Sequence, residues 1–199
     1  MSLSRRHFLA GSSVCAALTA THAWALDEAV ARGHVEKTIG DLRTLLQTPS
    51  GTNGRAPGLL RIMETRANVP LIARFSAGRA WREMSEDQKS RFTTAFGHYI
   101  SVTYARRFDE YSGDPNISVE RVIDAGRKGF LVQSPIRPEN GQTISVDWLV
   151  SDRGGRVEVV DLVIEGISMA TTQREEISAM IAKRGGDIER LISDLAATS

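Results

Sequence analysis

Ile144-Ser145-Val146-Asp147-Trp148-Leu149-Val150-Ser151 is the most regular alternation in the chain. A strand sends successive side chains to opposite faces, so Ile144, Val146, Trp148 and Val150 share one face. Asn140-Gly141 just before it is a hairpin turn signal, and Asp152-Arg153-Gly154-Gly155 turns the chain again just after. From Val157 to Ile164 nearly every residue is apolar, broken by Glu158 and Asp161, as in a strand covered on both faces. Working backwards, Phe130, Val132 and Ile136 predict another strand, frayed by Pro135 and Pro138 because proline cannot donate to a ladder. Ile117, Val119 and Ile123 predict the first. Three turns joining four strands in chain order predict a four-stranded antiparallel meander.

Before Ser112-Gly113-Asp114-Pro115 the period is helical. Val30, Val35, Ile39, Leu42, Leu45 and Leu46 stripe a helix from Leu26 to Gln47, ended by loop chemistry over Thr48–Gly54. Leu59, Leu60, Ile62 and Met63 predict a short helix, and Pro70 fits the first turn of a third carrying Leu71, Ile72 and Phe75. Ser85-Glu86-Asp87-Gln88 reads as a capping box. The helix it opens should run to about Tyr111, with an apolar face of Phe92, Phe96, Ile100, Tyr104, Phe108 and Tyr111, widened by Tyr99 and Val102. After the strands, Thr172-Gln173-Arg174-Glu175 reads as a second capping box, Gly185-Gly186 as a stop and Asp187 as the cap of a last helix. The fold class is α+β: N-terminal helices, the sheet, and C-terminal helices packing back onto it.

The N-terminus carries an address. Arg5-Arg6 precedes a short, weakly apolar run from Phe8 to Ala20, and Ala23-Trp24-Ala25 offers a small-x-small cleavage site. The arginine pair points to a cleaved twin-arginine-type signal over residues 1–25, with a single domain over 26–199. The run is shorter than the ~20 residues that span a bilayer. Removing Arg5 and Arg6 from the 25 basic residues leaves 23 against 24 acidic ones, a formal charge of −1. That balance argues against nucleic acid as a partner. The single cysteine, Cys15, falls within the signal, so the mature chain has neither disulfide nor thiolate chemistry.

The search for catalysis yields little. His34 and His98 have no second histidine or carboxylate cluster at ligand spacing, which argues against zinc. Nucleophile-elbow, Walker A and dinucleotide-binding patterns are absent from the sequence. Asp147 and Asp161 sit mid-strand and are the candidates for an enzymatic carboxylate pair; their plainer reading is as solvent-facing groups or ion-pair partners of the many arginines. The expectation is no enzyme, no metal and no cofactor. What stands out is the amount of large apolar surface, but spacing alone cannot separate a filled core from a hollow one.

Val159-Val160-Asp161-Leu162-Val163-Ile164-Glu165-Gly166-Ile167-Ser168-Met169, followed by Thr171-Thr172-Gln173-Arg174, resembles the signature of the MlaC or toluene-tolerance family. Upstream, Val69-Pro70 with Phe75 and Ala77-Gly78 resembles the family's short helix, and Trp81, Ser85, Gln88, Phe92, Phe96 and Tyr99 its long one. The resemblance spans roughly residues 30–195. It implies a periplasmic carrier of phospholipid, an auxiliary component of an ABC transporter that maintains outer-membrane lipid asymmetry. Implied partners are an inner-membrane ABC transporter complex with its substrate-binding ring protein and an outer-membrane lipoprotein complex. The resemblance further implies an apolar pocket between sheet and helices, its lining expected from Ile72, Phe75, Tyr99, Val102, Trp148, Leu162 and Ile167. The alternatives are a hopanoid or other polycyclic-lipid binder of the same family, or a periplasmic enzyme using Asp147 or Asp161.

Overall fold

Five helices precede the first strand: α1 (Glu28–Gln47), α2 (Thr52–Arg66), α3 (Val69–Ala77), the short α4 (Ala80–Glu83) and α5 (Glu86–Asp109). The structure, a computed structural model, describes residues 26–47, 52–109, 116–138 and 141–199. Residues 1–25, where a signal is expected, Tyr111, Ser112–Pro115 and Asn140 lie outside these, as does the side chain of Phe108.

Local chemistry sets most helix starts. The Ser85 amide donates to Gln88 Oε1 at 2.9 Å and the Gln88 amide to Ser85 Oγ at 3.2 Å, the reciprocal box that opens α5. Asn68 caps α3, its Oδ1 accepting from the Leu71 amide at 2.9 Å, with proline inside the first turn. The same Asn68 donates to Glu158 Oε2 at 2.6 Å, tying the cap to the sheet. α2 begins at Thr52, earlier than the loop composition of Thr52–Gly54 predicts. A Cβ on Gly58 would lie 2.4 Å from Leu45 Cδ1, so α1 and α2 approach closely there and packing outweighs weak local propensity.

The sheet is more divided than a four-stranded meander. Strands β2 (Arg121–Asp124), β3 (Phe130–Gln133), β5 (Val146–Ser151), β6 (Glu158–Ile164) and β7 (Ile167–Ser168) form one five-stranded antiparallel sheet in the order β2-β3-β5-β6-β7. β1 (Asn116–Ile117) and β4 (Ile136–Arg137) pair separately. Pro135 separates β3 from β4, where a missing N–H interrupts the ladder. β7 is an addition: Glu165 (φ 51°) and Gly166 (φ 78°) both take the left-handed conformation, as a two-residue hairpin needs, and return the chain along β6.

Two apolar assemblies hold these layers. On one face of the sheet, Ala31, Val35 and Ile39 of α1 pack on Val132, Val146, Trp148 and Val150. α6 (Met169–Lys183) and α7 (Ile188–Ala196) close the chain. They pack back chiefly on helices rather than onto the sheet: Ile177, Leu191 and Leu195 join Ala73, Phe92 and Phe96 of α3 and α5. Arg91 grips Glu189 across α5 and α7 at 2.7 and 2.8 Å, and with Gln88 it holds the Glu189 carboxyl down at about 2. α6 starts at Met169, earlier than Thr172, because Ser168 Oγ accepts from the Thr171 amide at 3.1 Å.

Candidate functional site: an apolar cavity between helices and sheet

Where the two assemblies face each other they do not close. A cavity of about 190 Å³ lies between them. The sheet contributes Trp148, Val159, Val160 and Leu162; α1 contributes Thr38 and Leu42; α2 contributes Leu59, Ile62 and Met63. From the other side come Val69 and Ile72 of α3, Phe96, Ile100 and Tyr104 of α5, and Met169, Ala170 and Gln173 of α6. The register explains part of this shape. Leu149 pairs with Asp161 but Val150 with Val159, so Val160 is an extra residue on β6. Such a bulge bends a strand and re-aims its side chains, and here Val159 and Val160 both reach the cavity wall.

The polar groups in the wall are mostly occupied. Trp148 Nε1 donates to the buried Ser134 Oγ at 2.6 Å, so its ring meets the cavity as an apolar surface. Thr38 Oγ1 donates to the His34 carbonyl at 2.8 Å, and Arg66 Nη2 pairs with Asp41 at 2.8 Å. Asp161 accepts from the Leu162 amide (2.8 Å), the Ala170 amide (2.9 Å) and Ser168 Oγ (2.6 Å). It therefore anchors the start of α6 to the sheet rather than facing solvent or an arginine. Asp147 accepts from its cross-strand neighbour Gln133 at 3.2 Å. Among the described residues no group of three His, Cys, Asp or Glu is placed to hold a metal ion. Burial pushes the Tyr104 phenol above its usual range.

The seven residues expected to line a pocket fall into three environments. Ile72, Trp148 and Leu162 border the cavity. Tyr99 and Val102 are buried on other faces of α5: Tyr99 donates to Glu176 Oε1 at 2.5 Å, and Val102 packs with Ala56 and Ala105. Phe75 and Ile167 are exposed, 40% and 59%, with the Arg174 guanidinium 5.1 Å from the Phe75 ring. Phe96, Ile100 and Tyr104, which helical spacing puts on the apolar face of α5 but does not mark as lining, border the cavity. Met169, Ala170 and Gln173 border it too, and carry no lining signal in the sequence because α6 starts earlier than the Thr172 capping pattern predicts.

The MlaC protein family model matches residues 35–197. The toluene tolerance protein ttg2D of Pseudomonas putida is 22% identical over 169 residues, 84% of this chain and 78% of that protein. The solved structure of the phospholipid-binding protein from Ralstonia solanacearum, in complex with a phospholipid, has a TM-score of 0.68. It is 20% identical and the match covers 83% of this chain and 94% of that one. At that identity the likeness speaks for the fold.

Proposed function

The chain belongs to the MlaC family, and from that premise we propose that it carries a phospholipid through the periplasm with its acyl chains enclosed in the cavity. The family is one of lipid-binding transport proteins rather than of catalysts. The observation that carries the reading is the cavity wall, built almost wholly of aliphatic and aromatic side chains contributed by five helices and sheet. Each methylene removed from water contributes roughly 0.8 kcal/mol, so hiding the tails supplies the affinity while the headgroup stays wet. The two candidate carboxylates are engaged in holding the backbone and a neighbouring strand.

At about 190 Å³ the space is small against the roughly 300–1,000 Å³ of pockets for drug-sized ligands. Loading a diacyl lipid therefore moves the walls apart. In this reading the signal over residues 1–25 delivers the protein to the periplasm and is removed after Ala25. The domain over 26–199 then exchanges lipid with an inner-membrane ABC transporter complex and an outer-membrane lipoprotein complex. Native mass spectrometry of protein purified without detergent tests the cargo: a bound diacyl phospholipid is expected. Protein that is empty and takes up no lipid from phospholipid vesicles overturns the proposal.

A further inference from the structure

Among the described residues, two arginines stand over aromatic rings on helices that line the cavity. Arg107 lies 5.3 Å from the centre of the Tyr104 ring in the last turn of α5, where the open carbonyls of the helix end already attract its charge. Arg174 of α6 lies 5.1 Å from the Phe75 ring, away from any helix end of that sign. Its guanidinium also packs on Gly78 (φ 57°), where an added Cβ would lie 3.5 Å from Nε and Nη2. The flat cation is thus seated against a ring and a bare stretch of backbone. It is exposed, and among the described residues no carboxylate or carbonyl takes its N–H groups. By contrast, Arg66, the cation in the wall itself, is committed to Asp41. Both Arg174 and its ring stand beside the cavity. Phe75 is one turn from Ile72 on α3, and Arg174 one turn from Ala170 on α6; such neighbours share a helix face. Ile72 and Ala170 border the cavity, while Phe75 is exposed. Between α3 and α6, therefore, the apolar wall passes toward solvent beside an uncommitted guanidinium.

We propose that Arg174 binds the phosphate of a lipid whose acyl chains occupy the cavity. This rests on the carrier reading and deepens it, because it assigns the headgroup end of the cargo to the rim between α3 and α6. Stacking on a ring face leaves the in-plane N–H groups of a guanidinium pointing outward, and these match two oxygens of a phosphate. The Phe75 ring and Gly78 hold the fork in place, so less side-chain freedom is lost when the phosphate arrives. A lone exposed cation holds free phosphate weakly in water and salt. The site is therefore complete only for a ligand that also has an apolar body, and the tails supply the rest of the affinity.

The test crosses ligand with protein, because a double cycle isolates the pairwise contribution. Dipalmitoyl phosphatidic acid and dipalmitoylglycerol share their tails and differ in the phosphate. Each is titrated by native mass spectrometry into wild type, Arg174→Gln, Arg174→Lys and Phe75→Leu. Wild type should prefer the phosphatidic acid. That preference should fall about tenfold in Arg174→Gln, equivalent to roughly 1.4 kcal/mol. It should fall by less in Arg174→Lys, which keeps the charge and loses the fork, and by less in Phe75→Leu, which loses the ring. Should Arg174→Gln not fold, as judged by circular dichroism, a fall in Phe75→Leu decides in favour and no fall decides against. Inorganic phosphate titrated calorimetrically into lipid-free wild type should show no saturable binding; saturation that Arg174→Gln removes would assign the site to free phosphate and overturn the proposal. A preference absent from wild type, or unchanged in Arg174→Gln, also overturns it, while bound dipalmitoylglycerol leaves the carrier reading standing. Wild type that takes up neither lipid overturns both.

Discussion

α5 serves two regions built from the same kinds of residue, and they end differently. Toward its N-terminal half, Phe92 stacks on Phe96 with ring centroids 5.9 Å apart and meets Trp81 edge-on at 6.3 Å, under α7. There Phe92 is fully enclosed, and Phe96 is the ring that passes from this packed cluster to the cavity wall. Toward its C-terminal half, Ile100 and Tyr104 look across at Trp148 and Leu162 with space between. Helix side chains interdigitate with those of a neighbouring helix, so small steps in register close gaps. A bulged sheet facing five helices offers no such freedom, and the two sides are tied to each other at the β6–α6 junction through Asp161 and at the Asn68–Glu158 contact. Apolar composition therefore does not distinguish core from container; what each face meets does.

Substitutions can break or sharpen this contrast. Phe92→Ala should have the largest effect, since a fully buried ring leaves a void in the filled region: about 3–5 kcal/mol lost in urea denaturation. Val102→Trp comes next. Val102 packs against Ala56 and Ala105, so overpacking should cost roughly 1–3 kcal/mol and lower the Tm. Its counterpart, Ala170→Phe, adds a ring where the wall already borders space. It should shift the Tm less than Val102→Trp and yet reduce lipid uptake from vesicles. Ala170→Phe proving the more damaging to stability would erase the distinction between the regions.

Asp161→Asn should be milder. The amide keeps one oxygen for the Leu162 and Ala170 amides and turns its NH₂ toward Ser168, so about 1 kcal/mol is lost. Lipid transfer should persist; its abolition with binding intact would show that the carboxylate does chemistry.

The smallest effect is one of pH. His34 Nε2 contacts the Arg66 carbonyl at 2.8 Å, and burial holds the imidazole below its ordinary 6.5 despite the opposing pull of that carbonyl and of Glu158. The unfolded chain therefore takes up a proton first as the pH falls. This contribution to stability is whole above about 6.5, declines below it, and is lost once the pH passes the folded value. Urea midpoints should drop from neutral to mildly acidic pH in wild type and drop less in His34→Gln.

Residues that act on their immediate neighbours were legible. Ser85 and Gln88 closed their box, Asp187 caps α7 through the Arg190 amide at 3.0 Å, and the Asp152–Gly155 turn joins β5 to β6 with the Gly155 amide on the Asp152 carbonyl at 2.8 Å. The α+β order and the alternation that makes Val146, Trp148 and Val150 one buried face were legible for the same reason. Less legible were the joins. Pro135 divides a predicted strand, and Ser168 starts α6 because Asp161, seven residues back, takes its hydroxyl proton.

The sequence by itself determined which residues are apolar, how they alternate, and where helices are capped, since caps and turns are settled within a few residues of chain. It could not decide which apolar face is filled. Tyr99 and Val102 lie on the same helix as Ile100 and Tyr104, yet the first two are enclosed by neighbouring side chains and the last two border the cavity. Helical periodicity fixes only the direction in which a side chain leaves its own axis. What stands opposite it is set by the placement of α1, α6 and the bulged sheet, contacts made across long stretches of chain, and so only the tertiary structure separates a packed core from an open cavity.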